Sequence, residues 1–374
     1  MSEEIKHIKQ NKLDLLQALR ALAALLVVID HSILTLISKA GFSIEDTFIE
    51  KFVGSFGTFG VSVFFAISGF IMIHTNRKGF GSRSNAADFL VRRFVRVVPL
   101  YWLMMFIYIL KLTYQNNPPS MEYIFKSFLF IPYLDADNIF RPIYGLGWTL
   151  NYEMFFYAIF AFSMILSFKK GVFCFFAFFL LITFSHNYMS KPVDNGFTVL
   201  IYFWTDPIIL YFMMGAFIGL LHPKFIKLGF INKYSFLLGF ILIIILMACL
   251  LVAIKQFSFD SFMYFTSMMI CTLLVIMLCI LGKDRNQKSI FSNMLCFLGD
   301  ASYSIYLTHS FLIGPSARVW SLYFSNEFWP VFILLMLCGA SILGGVVHVY
   351  IEKKIASRLK HIRVRPSVAK PLIS

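Results

Sequence analysis

The sequence predicts an all-α, polytopic membrane protein of about ten transmembrane helices with both termini in the cytoplasm. Three observations carry this expectation. The 374 residues are 59% hydrophobic and 14% charged, whereas soluble domains carry about a quarter charged residues. Apolar runs near 20 residues recur along the chain, the length that crosses a hydrocarbon layer about 30 Å thick. Lys and Arg concentrate in alternate connections, as the positive-inside bias requires. The formal charge of +14 therefore reads as topology and excludes nucleic acid as the expected partner. Phosphates or anionic headgroups at the inner face would add to it.

Residues 1–12 form a polar, Lys-containing cytoplasmic tail. Spans are expected at 13–38, 52–74, 88–112, 147–168, 171–189, 206–222, 234–254, 260–281, 300–323 and 328–350. They make 13–352 one integral-membrane domain without internal repeats, followed by a basic cytoplasmic tail at 353–374. The first span is too long for a cleavable signal peptide and contains Arg20 and His31. The segment 75–96 is basic, and Gly79, Gly81 and Ser82 loosen it before the RRFVR run. Residues 113–146 carry Pro118, Pro119, Pro132 and Pro142 among aromatics. That composition is too apolar for a solvated loop and predicts a re-entrant or interfacial segment on the outer side, with 190–205 as a shorter one. The 22 residues after Glu352 are expected to be too few for an appended soluble domain. Cys174, Cys249, Cys271, Cys279, Cys296 and Cys338 lie in or beside spans without metal-ligand spacing, so they read as small hydrophobes.

Arg20 and His31 are the most informative pair. Eleven helical residues advance about 1100°, so both side chains project from nearly the same face, roughly 16 Å apart along the axis. Ionisable groups at membrane depth are expensive and mark sites or pathways. A purely structural account has Arg20 reaching the inner headgroups while His31 binds a neighbouring helix. Asp30 beside His31 adds a second deep polar group, although its backbone direction differs by about 100°.

Four other constellations bear on chemistry. In 60–72, GVSVFFAISGFIM, Ser62, Ser68 and Gly69 interrupt a bulky span, either for close helix packing or as a slot for a ligand tail. In 92–102, RRFVRVVPLYW, three arginines occur within five residues. Arg92, Arg93 and Arg96 exceed what orientation requires, and guanidinium forks suit phosphate. In 147–157, GWTLNYEMFFY, Glu153 is a buried carboxylate that needs a partner, with Trp148 or a tyrosine as the structural candidates. His31 and Glu153 both fall in the outer half of the membrane on this topology and can meet. In 298–309, LGDASYSIYLTH, Asp300 or Ser302 is the expected N-cap of span nine, and Tyr303, Tyr306 and His309 form a polar stripe spaced by three. His348 and Glu352 are placed to pair at i, i+4. No metal site is expected, because no ligand set shares a face at suitable spacing.

Taken in order, these motifs resemble the acyltransferase-3 family of integral-membrane acyltransferases, many of which O-acetylate bacterial surface glycans. The resemblance rests on LDLLQALRALAALLVVIDH at 13–31, FFAISGF at 64–70, RRFVRVVPLYW at 92–102, GWTLNYE at 147–153, ASYSIYLTH at 301–309 and HVYIEK at 348–353. It implies that His31 is the essential catalytic histidine, with Arg20 its partner in the motif. It also implies that Arg93 and Arg96 match an arginine-x-x-arginine motif near the acyl-CoA site. The family's Trp-Ser-Leu-Ser-Val-Glu stretch stands here as Trp148–Glu153, with Asn151 and Tyr152 altering a possible acceptor pocket. Some members carry a C-terminal esterase-like domain. Its expected absence here leaves the membrane domain to complete transfer alone or with a separate periplasmic transferase.

The resulting expectation is a multi-pass enzyme of the bacterial inner membrane. It would move an acyl group, by default acetyl, from cytoplasmic acyl-CoA to a hydroxyl of a lipid-linked or surface glycan such as lipopolysaccharide or exopolysaccharide. Acetyl-CoA is the co-substrate, and no bound cofactor is expected. Arg92, Arg93 and Arg96 would hold phosphates, and the pantetheine arm would pass Arg20 and Ser68. His31 would act as general base or carry the acyl group itself, with Glu153 or Asp30 fixing its tautomer. Trp148, Tyr303, Tyr306 and His309 are the expected substrate pocket. The main rival is a proton-coupled transporter with His31, Glu153 and His309 as a relay, which lacks obvious inverted repeats. A non-catalytic scaffold gives no reason for the Arg20–His31 pair.

Overall fold

The computed structural model describes residues 3–40, 47–193, 196–227, 262–281 and 290–359. Among them every regular element is helical, in the order α1 (Glu3–Ala40), α2 (Thr47–Asn76), α3 (Arg83–Tyr114), α4 (Met121–Phe128), α5 (Trp148–Ile165) and α6 (Phe168–His186). There follow α7 (Phe197–Thr205), α8 (Ile209–Lys227), α9 (Phe262–Leu281), α10 (Ile290–Asp300), α11 (Ser302–Tyr323), α12 (Trp329–Val347) and α13 (Lys353–Arg358). A π-helical turn at His348–Glu352 joins the last two.

Among the described residues, six stretches of helix are long and apolar enough to cross a membrane: Asp14–Lys39, Gly54–Gly79, Arg83–Tyr114, Phe168–His186, Phe262–Ile280 and Trp329–Arg358. The pair α7 and α8, bent by 42°, brings the number to seven if it forms one broken span. Helices α5 and α11 occupy the expected fourth and ninth spans but fall short of that standard; α11 alone carries Ser302, Tyr303, Ser304, Tyr306, Thr308, His309 and Ser310. The expected span at 234–254 and Cys249 lie outside the described residues.

Two local expectations are corrected. The third span, expected from 88, begins earlier, because Ser82 accepts a hydrogen bond from Asn85 N and starts α3 at Arg83, shortly after the turn Arg77–Gly79. Neither Asp300 nor Ser302 caps α11. Ala301 holds that position without a side-chain bond, and the Asp300 carboxylate accepts from Gln17 Nε2 at 2.7 Å instead.

The chain forms two compact units, Met1–His74 with Met214–His348, and Thr75–Met213 with Val349–Ser374. In the first, α1 packs against α9, α10, α11 and α12. Ala24, Val28 and Leu36 of α1 meet Ile305, Ile313, Ala317 and Trp320 of α11 and Phe332, Met336 and Ala340 of α12. Lipid tails are as apolar as these side chains, so close packing rather than escape from water holds such helices together. Gly60 of α2 permits that approach: a Cβ there would strike the Ala23 carbonyl oxygen of α1. Ser62 shares a 2.7 Å hydrogen bond with Thr272 of α9, and the Tyr264 hydroxyl donates to Ser55 at 3.1 Å. Gly60 and Ser62 of the 60–72 stretch therefore serve packing.

In the second unit α5 packs against α3 and α6, and α6 against α7. Phe156 of α5 lies against the rings of Phe175, Phe179 and Phe212. The segment 113–146 contains the short α4, anchored by Trp102 Nε1 donating to the Phe128 carbonyl at 3.0 Å. A tight loop follows in which Asp135 accepts from the backbone of Asp137 and Ile139 while Arg141 joins Asp135 to Asp137. Burial alone would raise the Asp135 pKa, but these hydrogen bonds and the Arg141 charge outweigh it and hold the carboxyl below its ordinary value.

Candidate active site

The first unit builds its polar centre on α1 and α11. His31 Nδ1 lies 2.7 Å from His309 Nε2. The ring centroids are 5.0 Å apart and the planes differ by 24°. On its other side His309 Nδ1 is 3.2 Å from the Ile305 carbonyl, one turn back on α11. A carbonyl only accepts, so Nδ1 carries the hydrogen and a neutral His309 offers a lone pair at Nε2. His31 must then donate from Nδ1. Its Nε2 is left with the lone pair, in a side chain that is 35% exposed. The backbone of α11 thus sets the tautomer of a histidine on α1 through one intervening ring.

Asp30 Oδ2 is 3.8 Å from that same His31 Nε2. Asp30 is buried at 5% exposure, and its Oδ1 has no hydrogen-bond partner among the described residues. The carboxylate sits where Gly57 of α2 leaves room, since a Cβ on Gly57 would overlap it. At the other end of the same helix, Arg20 Nη1 donates to Gln17 Oε1 at 3.1 Å, and Gln17 Nε2 donates to Asp300. Gln17 therefore joins the arginine to a carboxylate of α10. Because α1 is continuous, Arg20 and His31 are separated by roughly 16 Å of helix. Tyr306 lies beside this centre, its ring 6.0 Å from His309 and edge-on to Phe64. Ser68 of α2 and Tyr303 of α11 are half-buried. His348 packs edge-on against Phe297 in the π-helical turn.

The second unit holds the other candidates. Arg92 is paired with Asp88 one turn earlier and reaches Asn76 Oδ1 at 3.4 Å. The Arg93 guanidinium lies over the rings of Phe89 and Tyr157, 5.5 and 5.3 Å from their centroids. Arg96 is exposed. The Tyr157 hydroxyl donates to Glu153, which makes a tyrosine the observed partner of that carboxylate. Trp148 lies edge-on to Tyr152, and Tyr152 stacks on Phe203 at 3.9 Å.

Sequence reasoning missed two positioning residues. Gln17 was legible as the i−3 neighbour of Arg20, but nothing local names Asp300 as its second partner. Tyr157 stands at i+4 from Glu153 and was readable from that spacing alone.

A helical membrane core with a histidine poised by a second histidine is a group suited to taking a hydroxyl proton or attacking an acyl carbon. The comparison with known families agrees: the acyltransferase-3 family, described as an acyltransferase domain, matches residues 13–349. The chain belongs to that family. It is also similar to the exopolysaccharide production protein ExoZ of Rhizobium meliloti (strain 1021), with 28% identity over 322 residues, covering 84% of this chain and 94% of the relative. No solved structure matches.

Proposed function

We propose that the protein transfers an acetyl group from cytoplasmic acetyl-CoA to a hydroxyl of a cell-surface or lipid-linked polysaccharide. The reaction would occur at the outer side of a bacterial inner membrane, in a ten-span arrangement with both termini inside. The observation that carries this reading is the His31–His309 hydrogen bond, because it leaves His31 Nε2 unprotonated and accessible. The Rhizobium relative is an exopolysaccharide production protein, which supports a polysaccharide acceptor over a small soluble alcohol.

In this reading Nε2 takes the proton of the acceptor hydroxyl as its oxygen attacks the thioester carbonyl. The carbon–sulfur bond breaks, the acetyl ester forms, and the departing thiolate takes the proton to give free CoA. Asp30, 3.8 Å from Nε2, stabilises the imidazolium formed on the way. Arg93 and Arg96 take the phosphates of the nucleotide end, for which guanidinium forks are suited. Arg92, already bound to Asp88, contributes less than its neighbours. Arg20, oriented by Gln17, and Ser68 contact the pantetheine arm.

The test is mass spectrometry and NMR of surface glycans from cells with and without this gene. Loss of O-acetyl groups on deletion, restored by the intact gene, is the expected result. Unchanged glycan acetylation would reject the reading.

A further inference from the structure

We infer that the contact between α5 and α7 is a binding subsite for a sugar ring of the acceptor glycan, formed by Asn151, Tyr152, Phe155, Phe203 and Trp204. The inference rests on the acyltransfer reading for its choice of acceptor and adds the location and the recognition chemistry.

Two buried polar atoms point to a ligand. Asn151 is 3% exposed, and its Oδ1 has no hydrogen-bond partner among the described residues. Trp204 Nε1, also buried, has none either. Leaving such groups unsatisfied destabilises a fold, and native proteins rarely do so without a functional reason. The two atoms differ in sense: one accepts and the other donates. A hydroxyl does both, so the atoms of one sugar satisfy the pair, whereas an acyl chain satisfies neither.

The surroundings match the same ligand. Phe155 stacks on Trp204 with centroids 5.0 Å apart and planes at 11°, and Tyr152 stacks on Phe203 at 3.9 Å and 16°. Asn151 is one turn before Phe155 on α5, so it shares the face of that ring, while the neighbouring Tyr152 is turned from it by about 100°. Tyr152 and Phe203 are buried against one another, whereas Phe155 and Trp204 are only part-buried, so the outer sides of this second pair are what can meet the C–H surface of a pyranose. Directly after Trp204 the helix breaks, with a 42° bend between α7 and α8, and Asp206 caps the new start by accepting from Ile208 N at 2.8 Å. Irregular backbone within an apolar stretch is tolerated where it is buried in protein or lines a polar cavity. The break also sets the Asp206 carboxylate two residues after Trp204.

The experiment uses the full chain in lipid nanodiscs, with methyl β-D-glucopyranoside and methyl β-D-galactopyranoside as probes. Saturation-transfer NMR reads sugar contact, and acetyl transfer from acetyl-CoA reads the sugar KM. Trp204→Phe keeps the ring and removes only the donor; Asn151→Leu removes the acceptor. Each is expected to weaken sugar binding about ten-fold with acetyl-CoA affinity unchanged. If Asn151→Leu fails to fold, Trp204→Phe alone decides. Unchanged sugar affinity in the variants, meaning that water alone occupies these atoms, would overturn the subsite, as would absence of sugar contact in the wild type. Sugar contact without any acetyl transfer would reject the acyltransfer reading and leave the subsite standing. Acetyl transfer with a sugar KM indifferent to both substitutions would do the reverse.

Discussion

His31 and His309 stand 278 positions apart in the sequence and share a 2.7 Å ring-to-ring hydrogen bond. Because the Ile305 carbonyl fixes the proton on His309 Nδ1, this bond dictates which nitrogen of His31 carries a lone pair. His309→Ala is therefore expected to lower kcat by about 10²- to 10⁴-fold, the range seen when a catalytic imidazole loses its base role or correct tautomer. His309→Gln, whose carbonyl oxygen still accepts from His31 Nδ1, should retain more activity than alanine. Equal losses in both variants would show that His309 does something other than orient His31.

Asp30 depends on a gap in the neighbouring helix. Gly57→Ala would push the carboxylate away from His31 Nε2, since the new Cβ overlaps it. The expected effect is a lower kcat with acetyl-CoA KM unchanged, and Asp30→Asn should behave the same way. A change confined to KM would remove Asp30 from the chemistry.

Gln17 links Arg20 to Asp300. Gln17→Leu should raise the acetyl-CoA KM about three- to ten-fold, the loss of an orienting hydrogen bond, while kcat is preserved. Gln17→Glu keeps the acceptor for Arg20 but repels Asp300. It should restore arginine orientation while lowering the melting temperature, which separates the two roles.

The loop around Asp135 should respond to acid. Its carboxyl is held below the ordinary value of 3.8, so its contribution to loop order is fully present above that value and is lost as pH falls through the lowered one. Pepsin cleavage within 135–141, taken relative to cleavage of an unfolded reference peptide at each pH, should therefore rise as the pH is taken from about 5 to about 2. Asp135→Asn should be cleaved readily across that range. An acid-insensitive loop in the wild type would show that the Arg141 bridges do not hold it.

Much of the fold is legible because apolar run length decides where helices form, and the helices α1, α2, α3 and α9 lie where their spans are expected. Termini were less legible. Charge and glycines place the start of the third span at 88, whereas the Ser82 cap starts the helix at Arg83. The cap of α11 was misassigned for a tertiary reason, because Gln17 from a distant helix takes the Asp300 carboxylate. At the site, helical spacing identified Arg20, His31 and Glu153 as odd for their depth. The same spacing put His309 on a polar stripe with Tyr306, but no local pattern pairs α11 with α1. Partner choice between helices is set by packing such as Gly60 against Ala23, which a one-dimensional periodicity does not encode.

The central claim is that His31 performs the transfer. Membranes carrying the wild type or His31→Ala, supplied with acetyl-labelled acetyl-CoA and the cell's own surface glycan, test it directly. The account predicts labelled O-acetyl ester on the glycan in the wild type and a loss of at least about 10²-fold in the variant at equal protein level. Full labelling by His31→Ala would contradict it.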